Sequence, residues 1–188
     1  MSERFDRALQ FAMTAHAGQT RKDHKLPYIL HPMEVAAVAS SMTDNEDVLI
    51  AALLHDTVED ADISPETITA QFGERVAALV ASETEPHFKG ESWEETWKHR
   101  KTVSLEFLRD RADGDMRVLW LADKLANIRA FHRIWRVQGD AAFSMFHQKD
   151  KKQQAWYYRS VAAYTAELAH TDAYREYSRR VNEIFGEE

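Results

Sequence analysis

The amino-acid sequence predicts an all-α protein, a single domain over residues 1–188 with about eight or nine helices and no significant sheet. Glycine occurs 6 times and proline 4 times among 188 residues, which is less than half of their average usage of about 12%. Because these two residues interrupt regular structure, their scarcity favours long helices. Apolar residues recur at three- and four-residue spacing, and no long run alternates with a period of two.

Five helices are predicted in the first half of the chain. Gly18 follows the end of the first, Pro32 lies in the tolerated first turn of the second, and Val48–Leu54 is the apolar centre of the third. Ser64 caps the fourth, which stops at Gly73, and the fifth follows directly. The predicted ranges are about 5–16, 31–42, 44–60, 64–73 and 74–82.

Four more helices are predicted after a loop at residues 85–91. Ser92 and Glu95 have the spacing of a capping box and start the sixth helix. Gly114 separates it from the seventh, and Gly139 separates the seventh from a long eighth helix. Either Thr171 or Asp172 caps the last helix, which ends at Gly186. The predicted ranges of the sixth, seventh and eighth helices are about 92–112, 116–137 and 140–170. The positions of the seventh helix predicted to face the core are Leu119, Ala122, Leu125 and Ile128.

The charge balance argues against nucleic acid polymers and membranes as partners. Lysine and arginine number 24 and aspartate and glutamate 31, a formal charge of −7, and such a chain repels polyanions. The longest apolar run has seven residues, whereas a membrane-spanning helix needs roughly 20. The absence of cysteine excludes disulfides and thiolate metal sites and suits a cytoplasmic location.

The segment from His55 to Asp60 is the strongest candidate for chemistry. On a continuous helix, His55, Asp56, Glu59 and Asp60 would share one polar face at the end of an apolar helix. Buried carboxylates repel one another, and a bound cation offsets that repulsion. Imidazole and carboxylate ligands suit Mn²⁺, Fe²⁺, Zn²⁺ or Mg²⁺. A solvated helix end is the alternative interpretation of this segment.

Two other features need interpretation. Asp123 and Asn127 are four residues apart in an apolar helix, and a buried salt bridge explains Asp123 alone at least as well as a metal does. The basic cluster at residues 98–101 is predicted to be a solvated helix face.

Together these segments resemble the HD superfamily of metal-dependent phosphohydrolases. His31, then His55-Asp56, then Asp123 match its H…HD…D pattern. The resemblance is closest to the (p)ppGpp hydrolase branch, which comprises the hydrolase domains of RelA/SpoT-type proteins and the small alarmone hydrolases. It covers residues 4–170 and is carried by residues 15–19, 21–22, 27–32, 51–60, 72–73, 121–125 and 127.

The resemblance implies an HD-domain helical bundle and a role for each matching residue. The implied ligands of one Mn²⁺ are His31, His55, Asp56 and Asp123. Glu59 and Asp60 would orient or deprotonate the attacking water. The implied substrate contacts are Arg21, Lys22, Asn127 and Tyr157.

The implied reaction removes the 3′-pyrophosphate of ppGpp and gives GDP and pyrophosphate, so the expected partner is a small nucleotide. Two alternatives stay open: an HD phosphohydrolase acting on a nucleoside monophosphate or NADPH, and a catalytically idle nucleotide-sensing module. Three departures from the family pattern concern the substrate, namely the longer loop at residues 85–93, Ala61 after Glu59-Asp60, and the bulky segment 131–136. The sequence leaves the oligomeric state open, including a homo-oligomer.

Overall fold

The structure, a computed structural model, describes residues 2–21, 25–86 and 92–187, without the side chain of Trp93. Within these ranges it contains nine α-helices of at least eight residues, one single-turn helix and no strand, which confirms the all-α prediction. The helices are α1 (Glu3–Ala15), α2 (Leu30–Ala39), α3 (Glu46–Leu54), α4 (Thr57–Asp60), α5 (Pro65–Phe72), α6 (Glu74–Glu83), α7 (Trp93–Asp110), α8 (Gly114–Gln138), α9 (Lys151–Tyr164) and α10 (Asp172–Phe185), with 3-10 segments at Gly139–Met145 and Ala166–Leu168. None of these described helices is long and apolar enough to span a membrane.

The core is built around α3 and α8. Helix α2 packs against both of them, α6 packs against α3, and α10 packs against α8. The four positions of α8 that were predicted to face inward are fully buried, which confirms the helical register there. The apolar centre of α3 is buried nearly all round, as its sequence predicted.

A core truncation on α8 should cost far more than a surface truncation on the same helix. We expect Leu125→Ala to lower the free energy of unfolding by about 2–5 kcal/mol, because Leu125 is fully buried and its loss leaves a cavity. Val137 is 85% exposed, so Val137→Ala should change the free energy of unfolding by less than about 0.5 kcal/mol. Urea denaturation of both variants measures the difference, and equal effects would contradict the described core.

The prediction of one continuous third helix is wrong, because the chain breaks at His55 and Asp56. Thr57 Oγ1 donates a hydrogen bond to the Leu54 carbonyl at 2.7 Å, and His55 Nδ1 lies 2.9 Å from the Ala52 carbonyl. These side chains occupy carbonyls that a continuing helix would pair with backbone amides. Helix α3 therefore ends at Leu54, and α4 begins at Thr57.

The predicted long eighth helix is also wrong, because caps divide residues 139–170. Gly139 has a positive φ of 58° and leads into a 3-10 segment. Asp150 then caps α9 by accepting a hydrogen bond from the Lys152 amide at 2.7 Å. The capping box predicted for the sixth helix is confirmed, since Ser92 and Glu95 make both of its bonds at the start of α7.

Candidate metal centre

Three buried side chains that can bind a metal meet where α2, α3 and α8 pack together. His31 lies in the first turn of α2, His55 at the end of α3, and Asp123 in the middle of α8. Each offers a ligand atom within 4.8 Å of the other two. Asp123 Oδ1 lies 3.0 Å from His31 Nε2 and 3.5 Å from His55 Nε2. Positions far apart in sequence thus form one compact donor set.

Asp56 brings a fourth donor to the same place. Its Oδ2 lies 3.2 Å from His55 Nε2 and 3.5 Å from His31 Nε2. The Tyr28 hydroxyl lies 2.7 Å from Asp56 Oδ2 and 2.8 Å from Asp60 Oδ2. Its single proton is therefore shared between the two carboxylates. Burial and the charges of Asp56 and Asp60 raise the pKa of Tyr28, which keeps the phenol protonated.

The environment of His55 fits a bound cation. A carbonyl oxygen only accepts hydrogen bonds, so His55 Nδ1 carries the proton that faces Ala52, and Nε2 is left to bind a metal. Nε2 is buried and has no hydrogen bond of its own within the described part of the chain. Burial alone lowers the pKa of His55, but the carboxylates of Asp56 and Asp123 raise it well above its usual value. The pocket therefore attracts positive charge at Nε2, which a bound divalent ion would supply.

Two more carboxylates, Glu59 and Asp60, lie on α4 directly beyond these donors. Burial, together with the negative charges of Glu85 and Asp56, raises the pKa of Glu59 to about 7. Glu59 Oε2 accepts a hydrogen bond from the Glu85 amide at 3.3 Å. The Asp60 carbonyl accepts one from Gln19 Nε2 at 2.7 Å. Hydrogen bonds from Gln19 and Glu85 therefore hold α4 in place. Its Glu59 carboxylate can exchange a proton near neutral pH.

The donors open into a cavity of about 640 Å³, a size typical of sites for small molecules. Its lining includes three cations among the carboxylates, namely Arg21, Lys101 and Lys124. It also includes four aromatic side chains, namely Trp97, Phe131, Phe146 and Tyr158. This combination suits a ligand with a phosphorylated end and an apolar ring.

The predicted substrate contacts fall into three groups. Arg21 donates a hydrogen bond to Asn127 Oδ1 at 3.0 Å, Asn127 Nδ2 donates to Asp123 Oδ1 at 2.8 Å, and both side chains line the cavity. Lys22 lies outside the described residues. Tyr157 is buried, with Lys101 Nζ 4.5 Å from its ring centre, and is not among the lining residues, whereas its neighbour Tyr158 is. On a helix one residue is a rotation of about 100°, so these two neighbours on α9 have different surroundings.

The prediction that residues 98–101 form a solvated face is wrong for two of them. Arg100 is buried, and Lys101 lines the cavity. Both cations bind the carboxylate of Glu85. A signal was present in the sequence, because Arg100 and Lys101 lie three and four residues after the buried Trp97 and so share its face of α7. Residues 87–91 of the longer loop lie outside the described ranges.

Comparisons with known proteins show which family this chain matches. The family model described as "HD domain" matches residues 8–144. The guanosine-3′,5′-bis(diphosphate) 3′-pyrophosphohydrolase MESH1 of Drosophila melanogaster is 37% identical over 131 residues, which cover 68% of this chain and 69% of that protein. The guanosine-3′,5′-bis(diphosphate) 3′-pyrophosphohydrolase of Aquifex aeolicus is 38% identical over 128 residues, and this chain spans only 18% of its length.

Two solved structures have the same fold. One is described as a metazoan orthologue of SpoT that hydrolyses ppGpp, and it matches with a TM-score of 0.73 and 28% identity, covering 98% of this chain and 95% of that one. The other is a Listeria monocytogenes EGD-e protein with a TM-score of 0.70 and 33% identity, covering 84% of this chain and 99% of that one. The likeness therefore extends over nearly the whole chain.

Proposed function

This chain belongs to the HD-domain family, and we propose that it is a Mn²⁺-dependent hydrolase that removes the 3′-pyrophosphate of ppGpp. The observation that carries the proposal is the convergence of His31, His55, Asp56 and Asp123 beside a cavity that is also lined by cationic and aromatic side chains. Relatives named as 3′-pyrophosphohydrolases of guanosine bis(diphosphate) support this substrate. The proposed location is the cytoplasm, where such a nucleotide would be met.

The four donors would hold the cation, which when bound lowers the pKa of water and polarises a phosphoryl oxygen. Glu59 takes the proton of the attacking water, since its pKa of about 7 suits proton transfer near neutral pH. The Tyr28 hydroxyl hydrogen-bonds to both Asp56 and Asp60 and so fixes the positions of the two carboxylates relative to each other. Water adds to the phosphorus beside the ribose 3′ oxygen, and the bond from that phosphorus to the 3′ oxygen breaks. The 3′ oxygen takes up a proton to replace the one that Glu59 removed from water, and GDP and pyrophosphate leave.

The cationic and aromatic side chains of the cavity position the two ends of the substrate. Arg21 and Lys101 face the phosphates and supply charge-assisted hydrogen bonds. Phe131 and Phe146, whose ring centres are 4.7 Å apart, give an aromatic surface for the base. The acidic net charge of the chain is no obstacle, because a bound divalent ion reverses the local sign of the charge.

Arg21 gives a test of substrate binding that spares the metal centre. We expect Arg21→Gln to raise KM about tenfold or more, because a hydrogen bond to a charged group contributes roughly 1.5–3 kcal/mol. Steady-state kinetics with Mn²⁺ measure this effect. Arg136→Gln, an exposed position on the same protein that does not line the cavity, serves as the matched control. An unchanged KM for Arg21→Gln would contradict its place in the substrate site.

A substrate panel tests the proposed reaction against the two alternatives. The Mn²⁺-loaded protein is incubated separately with ppGpp, NADPH and nucleoside monophosphates, and the released phosphate species are identified. We expect pyrophosphate from ppGpp at the highest kcat/KM. Orthophosphate from NADPH or a monophosphate as the dominant product would favour a different nucleotide substrate. Bound metal with no turnover of any substrate would favour the sensing module.

A further inference from the structure

Lys124, the residue after a metal-centre carboxylate, is held between two acidic side chains. Its Nζ contacts Asp123 Oδ2 and lies 2.9 Å from Glu83 Oε2. The Lys124 ammonium also lies 4.8 Å from the centre of the Trp120 ring, so it is enclosed on a third side. Glu83 at the end of α6, Lys124 on α8 and Asp123 beside it thus form one buried chain of alternating charge.

The two oxygens of Asp123 have different partners. Oδ1 faces His31 and accepts a hydrogen bond from Asn127, whereas Oδ2 is occupied by Lys124. Only Oδ1 is therefore directed at the histidines. The arrangement fixes the carboxylate, but it also puts a full positive charge beside a site that must hold a divalent cation, and like charges at close range in a protein interior repel strongly.

Glu83 has the features expected of a counterion to that lysine. Its side chain is only 3% exposed and lies on the wall of the cavity. Oε2 binds Lys124, while Oε1 is buried with no hydrogen-bond partner among the described residues. A buried carboxylate with an unpaired oxygen is costly, so its presence calls for a role beyond holding the fold. Together, Glu83 and Asp123 place two negative charges around one lysine.

We propose that Glu83 is a positioning residue that sets the divalent-cation affinity of the site by cancelling the charge of Lys124. This inference rests on the proposed metal centre and adds a residue that acts on the cation through Lys124. With Glu83 ionised, the charge of Lys124 is balanced, and the carboxylates of Asp56 and Asp123 remain available to the cation. Without that charge, Lys124 opposes the cation directly.

Two variants separate the charge of Glu83 from its hydrogen bond. Glu83→Gln keeps an oxygen that accepts from Lys124 but removes the charge, whereas Glu83→Asp keeps the charge but shortens the reach. Equilibrium dialysis of the full chain, stripped with a chelator and then given Mn²⁺, measures the dissociation constant. The measurement is made at pH 8, because burial raises the pKa of Glu83 to about 7. We expect Glu83→Gln to weaken binding about tenfold, and Glu83→Asp to stay within about threefold of the wild type.

The matched control is Glu176→Gln, which removes a carboxylate paired with Arg129 and Arg180 outside the cavity and should leave Mn²⁺ affinity unchanged. Thermal unfolding of the metal-free variants shows whether each retains the fold. Wild-type affinity in Glu83→Gln, or equal weakening in Glu83→Asp and Glu83→Gln, would overturn the role of the charge. A wild-type protein that binds no Mn²⁺ would instead overturn the metal centre, and this inference with it.

Discussion

Asp56→Ala should abolish hydrolysis of ppGpp even with excess Mn²⁺, lowering kcat/KM by a factor on the order of 10³ or more. Asp56 Oδ2 is the oxygen that approaches both His31 and His55, and it also receives the Tyr28 hydroxyl. Its removal takes one donor from the cation and frees the phenol that holds Asp60. Kinetics at saturating Mn²⁺, with bound metal measured by elemental analysis, test the expectation.

The control for this variant is Asp44→Ala, which removes an exposed carboxylate from the loop before α3. It should retain wild-type kinetics and metal content. Circular dichroism checks that both variants keep the helical fold. Retained ppGpp hydrolysis in a folded Asp56→Ala protein would rule out the proposed centre.

Glu59→Gln should lower kcat by about 10²–10⁴-fold while Mn²⁺ still binds, because a positioned general base contributes a factor of this size. Glutamine keeps the size of the side chain and an oxygen for the Glu85 amide, so the change removes the negative charge and with it the ability to take a proton. In the wild type the base must be deprotonated, so activity rises with pH as Glu59 ionises. The midpoint lies at or below about 7, since a bound cation lowers the pKa of a neighbouring carboxyl.

The matched control for the base is Glu66→Gln, at an exposed position in the first turn of α5. Its pH profile should coincide with that of the wild type. Glu59→Gln should lose the rising limb of the profile along with most of its rate. A Glu59→Gln protein with the wild-type rate and profile would assign proton transfer to another group, and Asp60 would be the first to examine.

Local patterns in the sequence were enough to predict the helices and most of their ends. The apolar spacing of α8 and the capping box of α7 depend on residues close together in the chain, and the structure agrees with both. The break after Leu54 was missed because helical periodicity does not reveal that Thr57 and His55 bind the last carbonyls of α3. The same applies to Asp150, because helical periodicity does not distinguish a capping residue within a run of polar residues.

The candidate site could be predicted only in part, for a physical reason. The His-Asp pair and Asp123 stand out because polar residues interrupt apolar helices, and the resemblance joined them to His31. By contrast, Glu83 pairs with Lys124, which is 41 positions away in the sequence, and Glu85 pairs with Arg100, which is 15 positions away. Such ion pairs depend on how helices pack, and the spacing of charges along one helix does not show them.

The most direct test is hydrolysis of ppGpp by the chelator-stripped wild-type protein, with and without added Mn²⁺, followed by separation of the products. We predict no turnover without the metal, and equal amounts of GDP and pyrophosphate once Mn²⁺ is restored. Equal rates with and without the metal, release of orthophosphate instead of pyrophosphate, or no hydrolysis by protein that demonstrably holds Mn²⁺ would contradict the proposed function.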